Sequence, residues 1–448
     1  MESTIENQST DSKKSLRFES DLEEEAEEPK NYKSIDDEIP DTFTGYGLTS
    51  TIGCFFFNLI LGVPTLRGNK YHYAAIGGLA FGSGLLFAPF INFIVGKIGV
   101  RVTISIGTLI YFAGDFMASF AVNLWEIYMT QGVLAGIGMS LICVPSINIL
   151  PQWFKGGKGG KRNLAMGIQA AGSVWHVLQN QSFRWSLRAQ AIMCFGINIC
   201  CILMVRTRNA NIKPVYKVYD HQIWTSIASL GLSLWIVFTS LGYIILMYNL
   251  GDFTRSLGYS AHQGSVVSSM VAVGIIYGRP IVGYVGDKIG PINVTMLASW
   301  LVSLFSLAMW IPCRNYATAI VFAMFVGSLM GTMWLTIATI SAHIVGMRKV
   351  GISMALNWII AAIFGIAAPI IGISLKKDGP DSPTQYQPAS IFVGLSYFMA
   401  GFSLFLLRAW LITRNKILET EEHDDDDFLN VHVDSKSVMQ NIFSMSRV

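Results

Sequence analysis

The sequence predicts an all-α polytopic membrane protein with about twelve transmembrane helices in two six-helix halves. Three observations carry this expectation. Hydrophobic residues make up 52% of the 448-residue chain and charged residues only 14%, against about a quarter charged in a soluble domain. The charges are also segregated. Of 29 acidic residues only seven fall within 45–411: Asp115, Glu126, Asp220, Asp252, Asp287, Asp378 and Asp381. Finally, one small basic turn is written twice about 190 residues apart, as "FIVGKIGV" (Phe93–Val100) and "GYVGDKIGPI" (Gly283–Ile292), each closing a long apolar run.

The helices follow from length. Crossing roughly 30 Å of hydrocarbon takes about 20 apolar residues. Runs of this kind occupy 45–65, 73–95, 102–121, 127–150, 189–205, 222–248, 262–286, 291–311, 317–346, 350–374 and 389–411. A further run, 164–178, is only about 15 residues long and is followed directly by "QNQSFRWSLR", so it reads as a short span or a re-entrant helix. Loop charge arbitrates. With twelve crossings and a cytoplasmic N-terminus, 13 Lys and Arg fall in inside loops and eight in outside loops, the sense of the positive-inside rule.

The expected organisation is an acidic cytoplasmic tail (1–44), a first six-helix half (45–205), a central cytoplasmic loop (206–221), a second half (222–411) and a second acidic cytoplasmic tail (412–448). Like-charge blocks such as "SDLEEEAEEPK" and "EEHDDDDFLN" carry too little apolar surface to offset ordering, so both tails are expected to be disordered. The bilayer is the expected surroundings. Other classes are excluded by what is missing. The six cysteines have no metal-ligand spacing with histidine, and "GGKGG" (Gly156–Gly160) lacks the spacing of a phosphate-binding loop. An ATP-driven pump, an intramembrane enzyme and a nucleic-acid partner are therefore not expected, and neither is a cofactor. Oligomeric state is not legible.

A few residues carry candidate chemistry. Arg279 lies eight residues before Asp287, about 12 Å along a helix. That depth is near mid-membrane, where a charge costs at least ~2.5 kcal/mol and is retained for function. A guanidinium there can engage a carboxylate through two parallel donors; the alternative is an arginine that locks helices through backbone carbonyls. Asp115 is the only acid well inside a span and is the candidate for proton coupling, with a hydrogen-bonded structural role as the alternative. Tyr243, Trp334, Asn357 and Trp358 are candidates to line a cavity for a planar solute, with simple packing as the alternative for each.

The repeated turn answers to a family. Gly283-x-x-x-Asp287-Lys288-x-Gly290 resembles the signature loop of the major facilitator superfamily, Gly-x-x-x-Asp-Arg/Lys-x-Gly. Its first copy keeps Lys97, Gly99 and Arg101 but has Asn92 for the first glycine and Gly96 for the aspartate. Longer stretches, Tyr73–Arg101, Trp153–Ser173, Ser182–Gln190 and Tyr277–Gly290, resemble the monocarboxylate transporter family, and most closely its fungal members. The resemblance implies a secondary transporter of a small organic solute, working by alternating access between halves, with Arg279 matching an arginine that engages substrate carboxylate. It also implies protons as a candidate coupling partner, although the aspartate that animal members carry one turn before this arginine is Ile275 here. Riboflavin-type carriers and a non-transporting sensor are the alternatives. The plasma membrane is the expected location and the vacuolar membrane the alternative.

Overall fold

The computed structural model describes residues 43–57, 70–156, 159–171, 183–377, 383–420 and 433–441, with isolated residues 39, 429 and 431. We number the long helices α1 (Gly45–Phe57), α2 (Lys70–Leu86), α3 (Ala88–Ile98), α4 (Val100–Ala118), α5 (Leu124–Gln152), α6 (Arg162–Ala171), α7 (Phe183–Met204), α8 (Ile227–Ser256), α9 (Ala261–Ile289), α10 (Pro291–Trp310), α11 (Tyr316–Val345), α12 (Val350–Ser374) and α13 (Gln387–Thr420). Among the described residues, nine helices are long and apolar enough to span a membrane, and the bent pair α2–α3 makes a tenth. The expected spans 45–65 and 164–178 fall partly outside the described residues, as does most of the acidic tails.

Large apolar side chains point outward along these helices, among them Phe90, Leu109, Leu203, Leu234 and Leu304. In water such a belt would be a liability; in lipid it is the solvent-facing surface, because the helices satisfy their own backbone. Inside, small residues let helices from the two halves touch. A Cβ on Gly78 of α2 would come 3.3 Å from the Ile366 carbonyl of α12, and one on Gly167 of α6 would come 2.5 Å from the Arg279 carbonyl of α9. Contacts this close are how membrane helices gain dispersion energy without a hydrophobic driving force.

The acids that survive in the apolar region have local duties. Glu126 closes a capping box at the start of α5, accepting from Asn123 N at 3.1 Å and Val122 N at 2.7 Å. Asp220 accepts from Gln222 N at 3.1 Å and caps the short helix His221–Thr225. Asp252 pairs with Arg255 at 3.5 Å on the surface. Asp378 and Asp381 lie outside the described residues.

Three features depart from simple apolar runs. The expected span 73–95 is bent by 47° between Leu86 and Ala88, where Pro89 in the first turn of α3 removes a backbone donor and crowds the preceding turn. The last helix continues to Thr420, past the expected boundary at 411, and Ser435–Asn441 form a helix (α14) beside it. Asn441 donates to Thr413 Oγ1 at 3.2 Å and accepts from Lys416 Nζ at 2.5 Å, so this part of the second tail is held by polar contacts a charge count does not reveal. The central stretch after Met204 also packs closely, as described below.

Candidate functional site

The second signature loop is a clamp between halves. Asp287, in the last turn of α9, accepts from the backbone N–H groups of Asn163 and Leu164, both at 2.9 Å. These belong to the first turn of α6, whose donors have no partners within their own helix, and the positive end of the helix dipole favours the carboxylate. A Cβ at Gly283 would collide with the Asn163 carbonyl, which is why a glycine precedes the aspartate by one turn. Gly290 ends the helix at φ +100, its N–H on the Gly286 carbonyl at 2.9 Å, and Lys288 lies 4.4 Å over the Tyr284 ring.

The first loop repeats the backbone but not the clamp. Gly99 ends α3 at φ +85 with its N–H on the Val95 carbonyl at 2.9 Å. Lys97 lies 5.6 Å over Phe93, the same i, i+4 pairing of lysine and ring. Arg101 donates through Nε and Nη2 to the Val205 carbonyl at 3.0 and 2.8 Å, capping the C-terminal end of α7. Arg162 and Arg414 do the same for other helix ends, the first on Phe154 O at 2.9 Å and the second on Ile344 O and His343 O at 3.0 and 2.8 Å. Basic side chains therefore serve helix termini here.

Arg279 is only 2% exposed. Its Nη1 donates to the Ala170 carbonyl of α6, and the guanidinium hydrogen-bonds to the Tyr243 hydroxyl of α8. Room for it comes from α11, which breaks at Gly331. A Cβ there would lie 2.7 Å from both Nε and Nη2. The cation is thus seated among α6, α8, α9 and α11, so both halves hold it. In this conformation it is a lock, almost wholly buried, and the burial is tolerated because hydrogen bonds face it.

One turn beyond Gly331, Trp334 stacks on Trp358 of α12 with centroids 5.2 Å apart and planes at 27°, and meets Phe81 of α2 edge-on at 6.0 Å. Trp358 is fully buried. Asn357, also fully buried, donates to Ser353 O at 2.9 Å and accepts from Ser233 Oγ at 3.3 Å, tying α12 to α8. Asp115 stands apart from this group. Its Oδ2 accepts from Gln190 Nε2 at 3.2 Å, and Tyr111 hydrogen-bonds to it as well, which places it in the contact between α4 and α7 within the first half.

The structure therefore joins Arg279 to Tyr243, and Trp334 to Trp358, across helices. The sequence reading missed Ala170, Gly331 and Phe81. A backbone carbonyl has no sequence signal, and a glycine in "LMGTMW" looks like any other packing glycine.

A family profile described as Major Facilitator Superfamily matches residues 226–438. The "Probable transporter MCH2" of Saccharomyces cerevisiae is 39% identical over 399 residues, spanning 86% of this chain and 83% of that protein. The chain belongs to the major facilitator superfamily. A second yeast relative, "Uncharacterized transporter ESBP6", is 28% identical and is matched over 55% of its own length. Among solved superfamily structures, the E. coli fucose:proton symporter FucP aligns with a TM-score of 0.52 at 13% identity, over 81% of this chain and 98% of that one. At that identity the likeness is of fold alone. Within the superfamily fold, the Asp287 clamp and Arg279 both lie at contacts between the two helical halves.

Proposed function

We propose that this superfamily member is a secondary transporter for a small planar organic anion, of the monocarboxylate kind, moved by alternating access. The observation that carries the proposal is the seat of Arg279. Its partners include a backbone carbonyl on one half and a phenol on the other, so the cation bridges the two halves. A solute carboxylate offers a better partner than either, because it pairs opposite charges and accepts two parallel N–H donors at once. The halves must part for the solute to reach it, and their parting would break the bond to Ala170. Binding and opening are then linked through one side chain.

The Trp334–Trp358 stack, three residues along α11 from the glycine that faces Arg279, supports a flat solute body with an anionic end. It equally supports a larger planar vitamin of the riboflavin type. We place the Asp287 end of the bundle at the cytoplasm, from the basic loops there, with both termini on that side, and take the plasma membrane as the site of action. Protons are a candidate partner for coupling.

A solute panel tests this: uptake of labelled monocarboxylates, aromatic acids and riboflavin at two pH values, in cells lacking and overproducing the protein. Uptake of at least one planar anion should rise with expression. No change for any solute, with an altered transcriptional response instead, would favour a sensor.

A further inference from the structure

The first signature loop lacks its carboxylate, yet its end of the bundle is not left unlatched. At Gly96, the position equivalent to Asp287, a Cβ would lie 2.5 to 2.9 Å from atoms of the Tyr216 side chain. Tyr216 belongs to the central stretch between the halves, expected from sequence only as a hydrophilic loop. That stretch is pinned on both sides. On the first half, Trp153 Nε1 donates to Arg206 O at 2.9 Å, Gln152 Oε1 accepts from Arg208 N at 2.9 Å, and Arg206 lies 4.0 Å over the Tyr46 ring. Gln152 Nε2 donates to Asn209 Oδ1 at 2.9 Å, and Asn209 Nδ2 donates in turn to the Tyr216 hydroxyl at 2.7 Å. On the second half, Val215 N donates to Arg348 O at 2.9 Å, in the turn before α12.

We infer that Arg206–Tyr216 is a strap across this end of the transporter, in which the Tyr216 ring stands in for the missing carboxylate and holds the first half against the turn into α12. In the second half the same task falls to Asp287, acting directly on a helix N-terminus. In the first half, Asn92 now faces α12: a Cβ on Gly351 would lie 2.6 Å from Asn92 Oδ1. A cavity of about 20 Å³, lined by Asn92, Asn148, Gln152 and Tyr216 among others, lies under the ring. Burial pushes the Tyr216 hydroxyl up to about 12, so the group seated at Gly96 is a neutral ring rather than a carboxylate. To expose the site towards this end, the strap must release either Gly96 or Arg348. Tyr216 is thus a positioning residue for the transport cycle rather than a contact for the solute.

The test reads access to the cavity and needs no solute, so it stands or falls separately from the substrate assignment. Asn148→Cys is introduced in the full-length protein, and its labelling by a membrane-impermeant maleimide is followed by mass spectrometry in inside-out vesicles. Tyr216→Ala should raise the labelling rate about fivefold or more, since it removes a half-buried ring and a hydrogen bond. Tyr216→Phe, which keeps the ring, should raise it less. Adding Gly96→Asp to Tyr216→Ala should return the rate towards the parent, because the carboxylate of the usual signature is then restored. Labelling unchanged by Tyr216→Ala, or raised equally by Tyr216→Phe, would overturn the inference. So would failure of Gly96→Asp to restore protection. Should Tyr216→Ala not fold, Asn209→Ala with the ring intact replaces it; it should raise labelling as Tyr216→Phe does, and no rise would count against the strap.

Discussion

The carboxylate of Asp287 caps a helix in the opposite half, taking the N–H of Asn163 at 2.9 Å and that of Leu164 at the same distance. Asp287→Asn keeps the shape but loses the charge and one acceptor. It should weaken the clamp by about 1–2 kcal/mol, the range of a good N-cap, and shift the protein towards the conformation open at this end. Thermal unfolding in detergent should move down while expression holds, and the maleimide rate at Asn148→Cys should rise. An unchanged melting profile and rate would show that the two hydrogen bonds carry no conformational weight.

Gly331 and Arg279 form a second dependent pair. Gly331→Ala would set a methyl 2.7 Å from Nε and Nη2, well inside contact distance, so the guanidinium must move. Uptake should fall about tenfold or more, with the protein still folded by size-exclusion profile. Near-normal uptake would mean that the seat of Arg279 is not critical.

The stacked indoles make a separate prediction. Trp334→Leu removes one face of the stack and the edge contact with Phe81. Aromatic pairs are worth about 0.5–1.5 kcal/mol beyond their area, so KM for a planar solute should rise by up to about tenfold. KM for a non-planar anion of similar charge should move less. Equal shifts for both would assign the pair to packing alone.

Asp115 gives the proton question a clean readout. Its partners, Tyr111 and Gln190, lie on α4 and α7 of one half, away from the contacts that join the halves. Asp115→Asn should leave the ratio of uptake at two pH values unchanged and lower stability modestly. Collapse of that ratio, with uptake at the higher pH retained, would instead make Asp115 the coupling group.

Much of this architecture was legible because membrane helices announce themselves by apolar length, and the repeated turn marked equivalent points of the two halves. Lys97 and Lys288, with their rings four residues earlier, could be aligned by eye. The bend at Phe87 was not read, although Pro89 was visible, because a proline near a helix end can as well begin a helix as bend one. The strap was hidden for a different reason. Its order depends on Gln152, Trp153, Gly96 and Arg348, all remote in sequence, so local composition read only as a polar linker. Likewise Arg279 was legible as an intramembrane charge, while its partner, the Ala170 carbonyl, is backbone and carries no letter.

Arg279 couples solute binding to parting of the halves in the proposed cycle. The direct measurement is counterflow of a labelled planar carboxylate in proteoliposomes, comparing the parent with Arg279→Ala and Arg279→Lys at matched incorporation. Counterflow should be lost in Arg279→Ala and little recovered in Arg279→Lys, since a point charge cannot reproduce the two-pronged donor. Counterflow retained by both variants would contradict that coupling.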